Sequence, residues 1–165
     1  MSELLSKLSS YNILNNLLPG VIFCTLLPTI TEYSISNQDL LTLGFIYYFV
    51  GLTISRVSSI TIEPLLKKFG FVKFVSYSSY NEALSKNPKL DILSETNNTY
   101  RSIIAVCFSL CMAKIYEIVA TKCAISHQTD MALLIIVLSI LFLYSYKKQT
   151  KYIVDNINSI LGEKK

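Results

Sequence analysis

SIIAVCFSLCMAKIYEIVA, Ser102 to Ala120, is an apolar helix-forming run with Lys114 and Glu117 set into its second half. On a helix these two charges lie about one turn apart on nearly the same face. A charged group at bilayer depth costs several kcal/mol unless it is paired, reaches the interface or borders water. The segment therefore poses the question that decides the fold, which is whether lipid or water surrounds this chain.

Composition answers in favour of lipid. The 165 residues are 52% hydrophobic and 16% charged, with no Trp, and the mean hydropathy is +0.45. Soluble domains carry nearer ~25% charged residues. Between successive charges the chain has windows at 8–31 (24 residues), 40–55 (16), 102–113 (12) and 131–146 (16). A bilayer-crossing helix needs about 20 mostly apolar residues. Only the first window passes unaided, and the others become long enough when flanking Lys and Arg side chains reach the headgroups.

These windows predict an all-α polytopic membrane protein with a single membrane domain over 1–165. Its four transmembrane helices are expected near 13–31, 39–60, 101–120 and 130–147, with a connection over 61–100. The alternative, a soluble helical bundle, is disfavoured by where the cations fall. Of 15 Lys and Arg, only Lys114 and Lys122 lie outside the N-terminal arm, the middle connection and the C-terminal tail. By the positive-inside rule both termini and the middle connection are cytoplasmic. No cleavable signal sequence is expected at the N-terminus.

Residues 2–18 place Leu4, Leu8, Tyr11 and Leu18 at helical spacing, which predicts an interfacial amphipathic helix. Pro19 and Gly20 are expected to interrupt or kink the helix. Asn15 and Asn16, just before that break, either face water or another protomer, or cap the break. Gly44 and Gly51, seven residues apart in the second span, are candidates for a close helix contact, because small residues let backbones approach. Cytoplasmic helical extensions are expected on spans 2 and 3. PLLKKF followed by Gly70 reads as a short helix started by Pro and stopped by Gly. Ser79 with Glu82 has capping-box spacing for another that ends before Asn87 and Pro88. The third span with the residues from Pro88 onwards would make one helix of about 30 residues, roughly 45 Å long. The tail from Lys151 is expected to lie on the membrane or dock on a neighbour.

Catalytic and metal chemistry find little material. His127 is the sole histidine, and no phosphate-binding Gly loop, CxxC or HExxH occurs. No enzyme activity, cofactor or metal is expected. Cys107 and Cys111 share a helix face and read as buried packing residues. Lys114 and Glu117 either pair or reach the outer interface, or line a water-filled path between subunits, or bind an unidentified ligand. Arg56, Lys67, Lys68, Lys73, Lys86, Lys89 and Arg101 are explained by topology and by anionic lipid. Alternatively they gather with Tyr77, Tyr80 and Tyr100 into a site for a nucleotide, an oligonucleotide or a cytoplasmic partner.

NNLLPGVIF at 15–23, ISRVSSITIEPLLKKFGFVKF at 54–74 and LSETNNTYRS at 93–102, leading into a span with Lys and Glu, resemble the small four-span bacterial membrane proteins of antiphage defence. The nearest are the channel-forming effectors of Hailong systems, followed by the membrane subunits of Kiwa systems. The resemblance implies a homotetrameric ion channel, controlled at its cytoplasmic part by a nucleic-acid-like signal from a partner enzyme and opened to depolarise the host. A single protomer offers too few helices to enclose a generous pore, so a homo-oligomer is expected in any case. The alternative is a non-conducting sensor or scaffold that recruits a cytoplasmic partner.

Overall fold

The computed structural model describes residues 2–35 and 38–161, with side chains from Asn15 onwards except at Tyr77 and Ile160. It is all-helical, with no strand among the described residues. Helix α1 spans Ser2–Ile30 and α2 spans Leu40–Val57, which continues through a π-helical turn at Ser58–Ile62 into α3, Glu63–Lys68. The remaining helices are α4 (Tyr77–Lys86), α5 (Lys89–Lys122) and α6 (His127–Leu161). Three helical stretches are long and apolar enough to cross a membrane, namely Leu40–Lys68, Lys89–Lys122 and His127–Ser159, and a shorter apolar helix covers Asn15–Ile30.

The long helices alternate in direction and share two ends. The basic end gathers Arg56, Arg101 and Lys148, and the far end carries residues 31–35, 38–39 and 123–126. α2 begins where the Asp39 carboxylate accepts hydrogen bonds from the Thr42 backbone N–H (3.1 Å) and hydroxyl (2.6 Å). Those bonds satisfy an orphan helix donor. α3 stops at Gly70, whose φ of +70° suits glycine. There the Phe71 N–H donates back to the Leu66 carbonyl at 3.0 Å.

α1 packs most extensively on α2 and next on α5. Their contact is close because two glycines face one another. A Cβ on Gly51 would stand 1.6 Å from the Asn16 carbonyl oxygen, and one on Gly20 would stand 1.8 Å from that of Tyr47. Such distances leave no room for any side chain, so the backbones themselves touch. Gly44 meets nothing within 4 Å. The expected interruption at Pro19 and Gly20 is not a break, since α1 runs through both. Pro19 is buried and Gly20 forms the crossing. Of the amphipathic face expected over residues 2–18, the side chains of 2–14 lie outside the described ones, although their backbone is helical, and Leu18 is exposed.

Below the glycines, Leu27, Ile54, Ala105, Val106, Leu110 and Ile62 form a small apolar core. Most other large apolar side chains are exposed. Leu134, Ile135, Ile136, Val137 and Leu143 make α6 apolar on the outside, and contiguous exposed apolar surface of this kind marks a membrane or partner contact. α6 meets the rest chiefly through α2 and α4. Phe49 and Phe142 stack with ring centroids 6.1 Å apart, and the Asn81 amide donates to Asn156 Oδ1 (3.2 Å) and Ser159 Oγ (3.3 Å). The tail therefore continues α6 to Leu161 and holds α4. α4 is capped by Ser76, which accepts from the Ser79 N–H at 3.2 Å, three residues earlier than the Ser79 and Glu82 spacing suggested. Glu82 instead pairs with Lys86 at 2.6 Å.

Two alanine substitutions separate the glycines. Gly51→Ala adds one methyl where none fits and is expected to cost about 1–3 kcal/mol. Gly44→Ala, in open space, gains up to about 1 kcal/mol of helix propensity. Thermal unfolding of the detergent-solubilised chain checks this, and shifts of the same sign in both variants contradict the crossing.

Candidate functional site at the basic end

A π-helical turn carries one more residue per turn than an α-helix, so each residue after it faces about 100° away from its α-helical direction. Here the turn is SSITI, Ser58–Ile62, and its consequence is that Glu63 points inward. Glu63 is only 6% exposed. A carboxylate so buried is costly unless cations and donors surround it.

Three cations do so. Lys67, one turn on, donates to Glu63 Oε1 at 2.7 Å. Arg101 of α5 donates through Nη1 to Glu63 Oε2 and through Nε to the Ser58 hydroxyl at 2.9 Å. Lys148 of α6 donates to the Ser59 carbonyl (2.6 Å), the Ser59 hydroxyl (2.8 Å) and, at 3.4 Å, Glu63 Oε2. One carboxylate thus joins the end of the α2–α3 rod to α5 and α6. The cluster holds three positive charges against one negative. Lys67 also lies 4.2 Å above the Phe74 ring, and Lys148 5.5 Å from that of Tyr152. Arg56 adds a fourth cation nearby. Its Nε is buried with no acceptor among the described residues, beside a small cavity that Ser59, Ser145, Lys148, Gln149 and Tyr152 also line.

Of the cations singled out in the sequence, Arg56, Lys67 and Arg101 come together here. Lys68, Lys73, Lys86 and Lys89 are exposed and stand apart from the cluster. Tyr80 and Tyr100 are not among the groups that touch Glu63, and the Tyr77 side chain lies outside those described. Glu63, Ser58, Ser59 and Lys148 were not legible as a site from the sequence. The one signal was the four-residue spacing of Glu63 and Lys67, common to many exposed helix pairs. Next to the cluster, the Thr99 hydroxyl donates to Asn15 Oδ1 at 2.8 Å and ties α5 to α1. Asn16 contributes its carbonyl to the glycine crossing.

Lys114 and Glu117 lie towards the far end and pair at 2.5 Å. Glu117 Oε1 also accepts the Glu32 backbone N–H at 2.5 Å, just beyond α1. The Tyr116 hydroxyl donates to Asp130, linking α5 to the start of α6. Lys114 is half exposed and Glu117 largely covered. Cys107 and Cys111 are exposed on α5 rather than buried, whereas Cys24 is buried. Among the described residues no group of three His, Cys, Asp or Glu is placed to hold a metal ion. No family model, curated protein or solved structure matches the chain, so a role for the basic end has to come from its own chemistry.

Removing the shared carboxylate exposes the cations to one another. Glu63→Gln is expected to cost about 3 kcal/mol, since breaking a buried pair strands its partners. Arg101→Gln, which leaves Lys67 and Lys148 on Glu63, costs less. The double variant falls short of the sum because both changes remove the same contact. Denaturant unfolding in micelles checks the order, and additive losses contradict a shared network.

Proposed function

We propose that the chain is a four-span membrane protein that works as a homo-oligomeric ion channel gated through its cytoplasmic region. In this reading Asn15–Ile30 is the fourth crossing segment. Both termini and the 61–100 connection lie on the cytoplasmic side, as the cation distribution favours. The bacterial antiphage setting, the tetramer and control by a nucleotide or oligonucleotide signal from a partner enzyme rest on the sequence resemblance.

The observation that carries the reading is the Glu63 joint. It fastens the start of the cytoplasmic connection to α5 and α6 at once. A ligand or partner that draws Arg101 or Lys148 away from Glu63 therefore acts directly on helices that cross the bilayer, which is the coupling a gated channel needs. The core between α1, α2 and α5 is apolar through Leu27, Ile54, Ala105, Val106 and Leu110. A conducting path accordingly runs between copies rather than through one.

A second reading, a non-conducting sensor or scaffold, is favoured by the far end. There Lys114 is neutralised by Glu117, and a paired charge contributes little to a selectivity ring. Flux through liposomes holding the purified chain separates the two. The channel reading expects a conductance that Glu63→Gln raises several-fold by loosening the joint. Absence of flux in both proteins, with and without single-stranded oligonucleotide, favours the scaffold.

A further inference from the structure

The basic end holds a second feature that the Glu63 joint does not use. Lys147 and Lys151 are one helical turn apart on α6, and neither has an ion-pair or hydrogen-bond partner among the described residues. They line one wall of a groove of about 330 Å³ with Tyr144 and Lys148, and its other wall is Ser59, Ile60 and Pro64 of the π turn and α3. Through Tyr144 and Lys147 the groove continues along α6 into a depression of about 410 Å³ lined by Ile140 and Leu143. The Lys147, Lys148 and Lys151 ammonium groups edge the first part, and the second is lined by the apolar Ile140 and Leu143 with Tyr144 and Lys147 at the border it shares with the first.

That sequence of surfaces matches one class of molecule. The geometry points to a binding site for an anionic diacyl phospholipid, its phosphate between Lys147 and Lys151 and an acyl chain along Ile140, Leu143 and Tyr144. The inference rests on the membrane-spanning reading above. A phosphodiester is held by two ammonium groups at the distance an i,i+4 pair provides. The Lys148 ammonium is already committed to Ser59 and Glu63, so the free cations are the neighbours on its flanks. Free nucleotides and oligonucleotides share the phosphate chemistry, but they carry no hydrocarbon chain to lie along Ile140 and Leu143, which are 49% and 68% exposed. A lipid does. The site also borders the joint through Ser59 and Lys148, so its occupancy bears on how α6 is held.

Native mass spectrometry of the full chain, released from micelles titrated with phosphatidylglycerol or phosphatidylcholine, tests this. The expected result is retention of phosphatidylglycerol over phosphatidylcholine, a preference that K147Q/K151Q lowers about 10- to 30-fold. K86Q/K89Q, with the same change in net charge on another part of the surface, lowers it less than about 2-fold, the share that general attraction to anionic lipid contributes. Equal loss in both double variants overturns the site, as does displacement of the lipid by inorganic phosphate or by a ten-nucleotide single strand at equal concentration. Carbonate-resistant insertion into vesicles, measured on the same preparation, distinguishes the two levels. Insertion without lipid preference overturns this site alone, and failure to insert overturns the membrane reading with it.

Discussion

Burying the Glu63 carboxylate constrains everything near the basic end. A carboxylate with 6% exposure cannot be left without counter-charge, and its own helix supplies only the partly exposed Lys67. The remaining compensation has to arrive from elsewhere in the chain. It comes from Arg101 and Lys148, which are 38 and 85 residues away. Two helices with little apolar contact between them are consequently drawn to one point. Such an arrangement adds less to stability than an apolar contact of the same size would, because desolvation of the charges opposes their attraction. What it adds is registry, since only one rotation of α2–α3 presents the carboxylate to both cations.

The four long helices are accordingly held in two different ways. α1, α2 and α5 are joined by backbone contact at Gly20 and Gly51 and by the core around Val106 and Ile54, interactions that are short-ranged and tolerate no sliding. α6 has almost none of this. It is attached by polar groups at its ends and beyond, through Asp130, Lys148, Asn156 and Ser159, and by the Phe142 ring against Phe49. Hydrogen bonds and ion pairs can exchange for equivalents with a ligand, a lipid or a second copy, whereas an interlocked glycine crossing cannot. The physical asymmetry marks α6 as the long helix held least by interlocked packing.

Much of the helical layout was legible in the sequence because apolar runs and their bounding charges report solvent directly. The windows at 40–55, 102–113 and 131–146 fall within α2, α5 and α6. Gly51 was visible as a packing residue, but its partner Gly20 was hidden behind Pro19, which reads as a helix breaker. The pairing of Lys114 with Glu117 was open to inspection because both lie on one helix, while the Glu32 N–H that completes it comes from another. Glu63 was obscure for a different reason. A lone acid before Pro64 looks like an ordinary helix start, and the π turn that rotates it inward has no composition signature in SSITI. Lys148 likewise reads as one more cation of the C-terminal tail. Contacts across 38 or 85 residues depend on helix rotation, and one extra residue in a turn rotates everything after it by about 100°.

Hydrogen exchange of the full chain in micelles tests the central claim, that one carboxylate holds three helices together. The account predicts that Glu63→Gln speeds exchange simultaneously in peptides covering 56–68, 97–104 and 144–152, while protection over 16–24 and 47–54, at the glycine crossing, is kept. A change confined to 56–68, with α5 and α6 as protected as before, would contradict it.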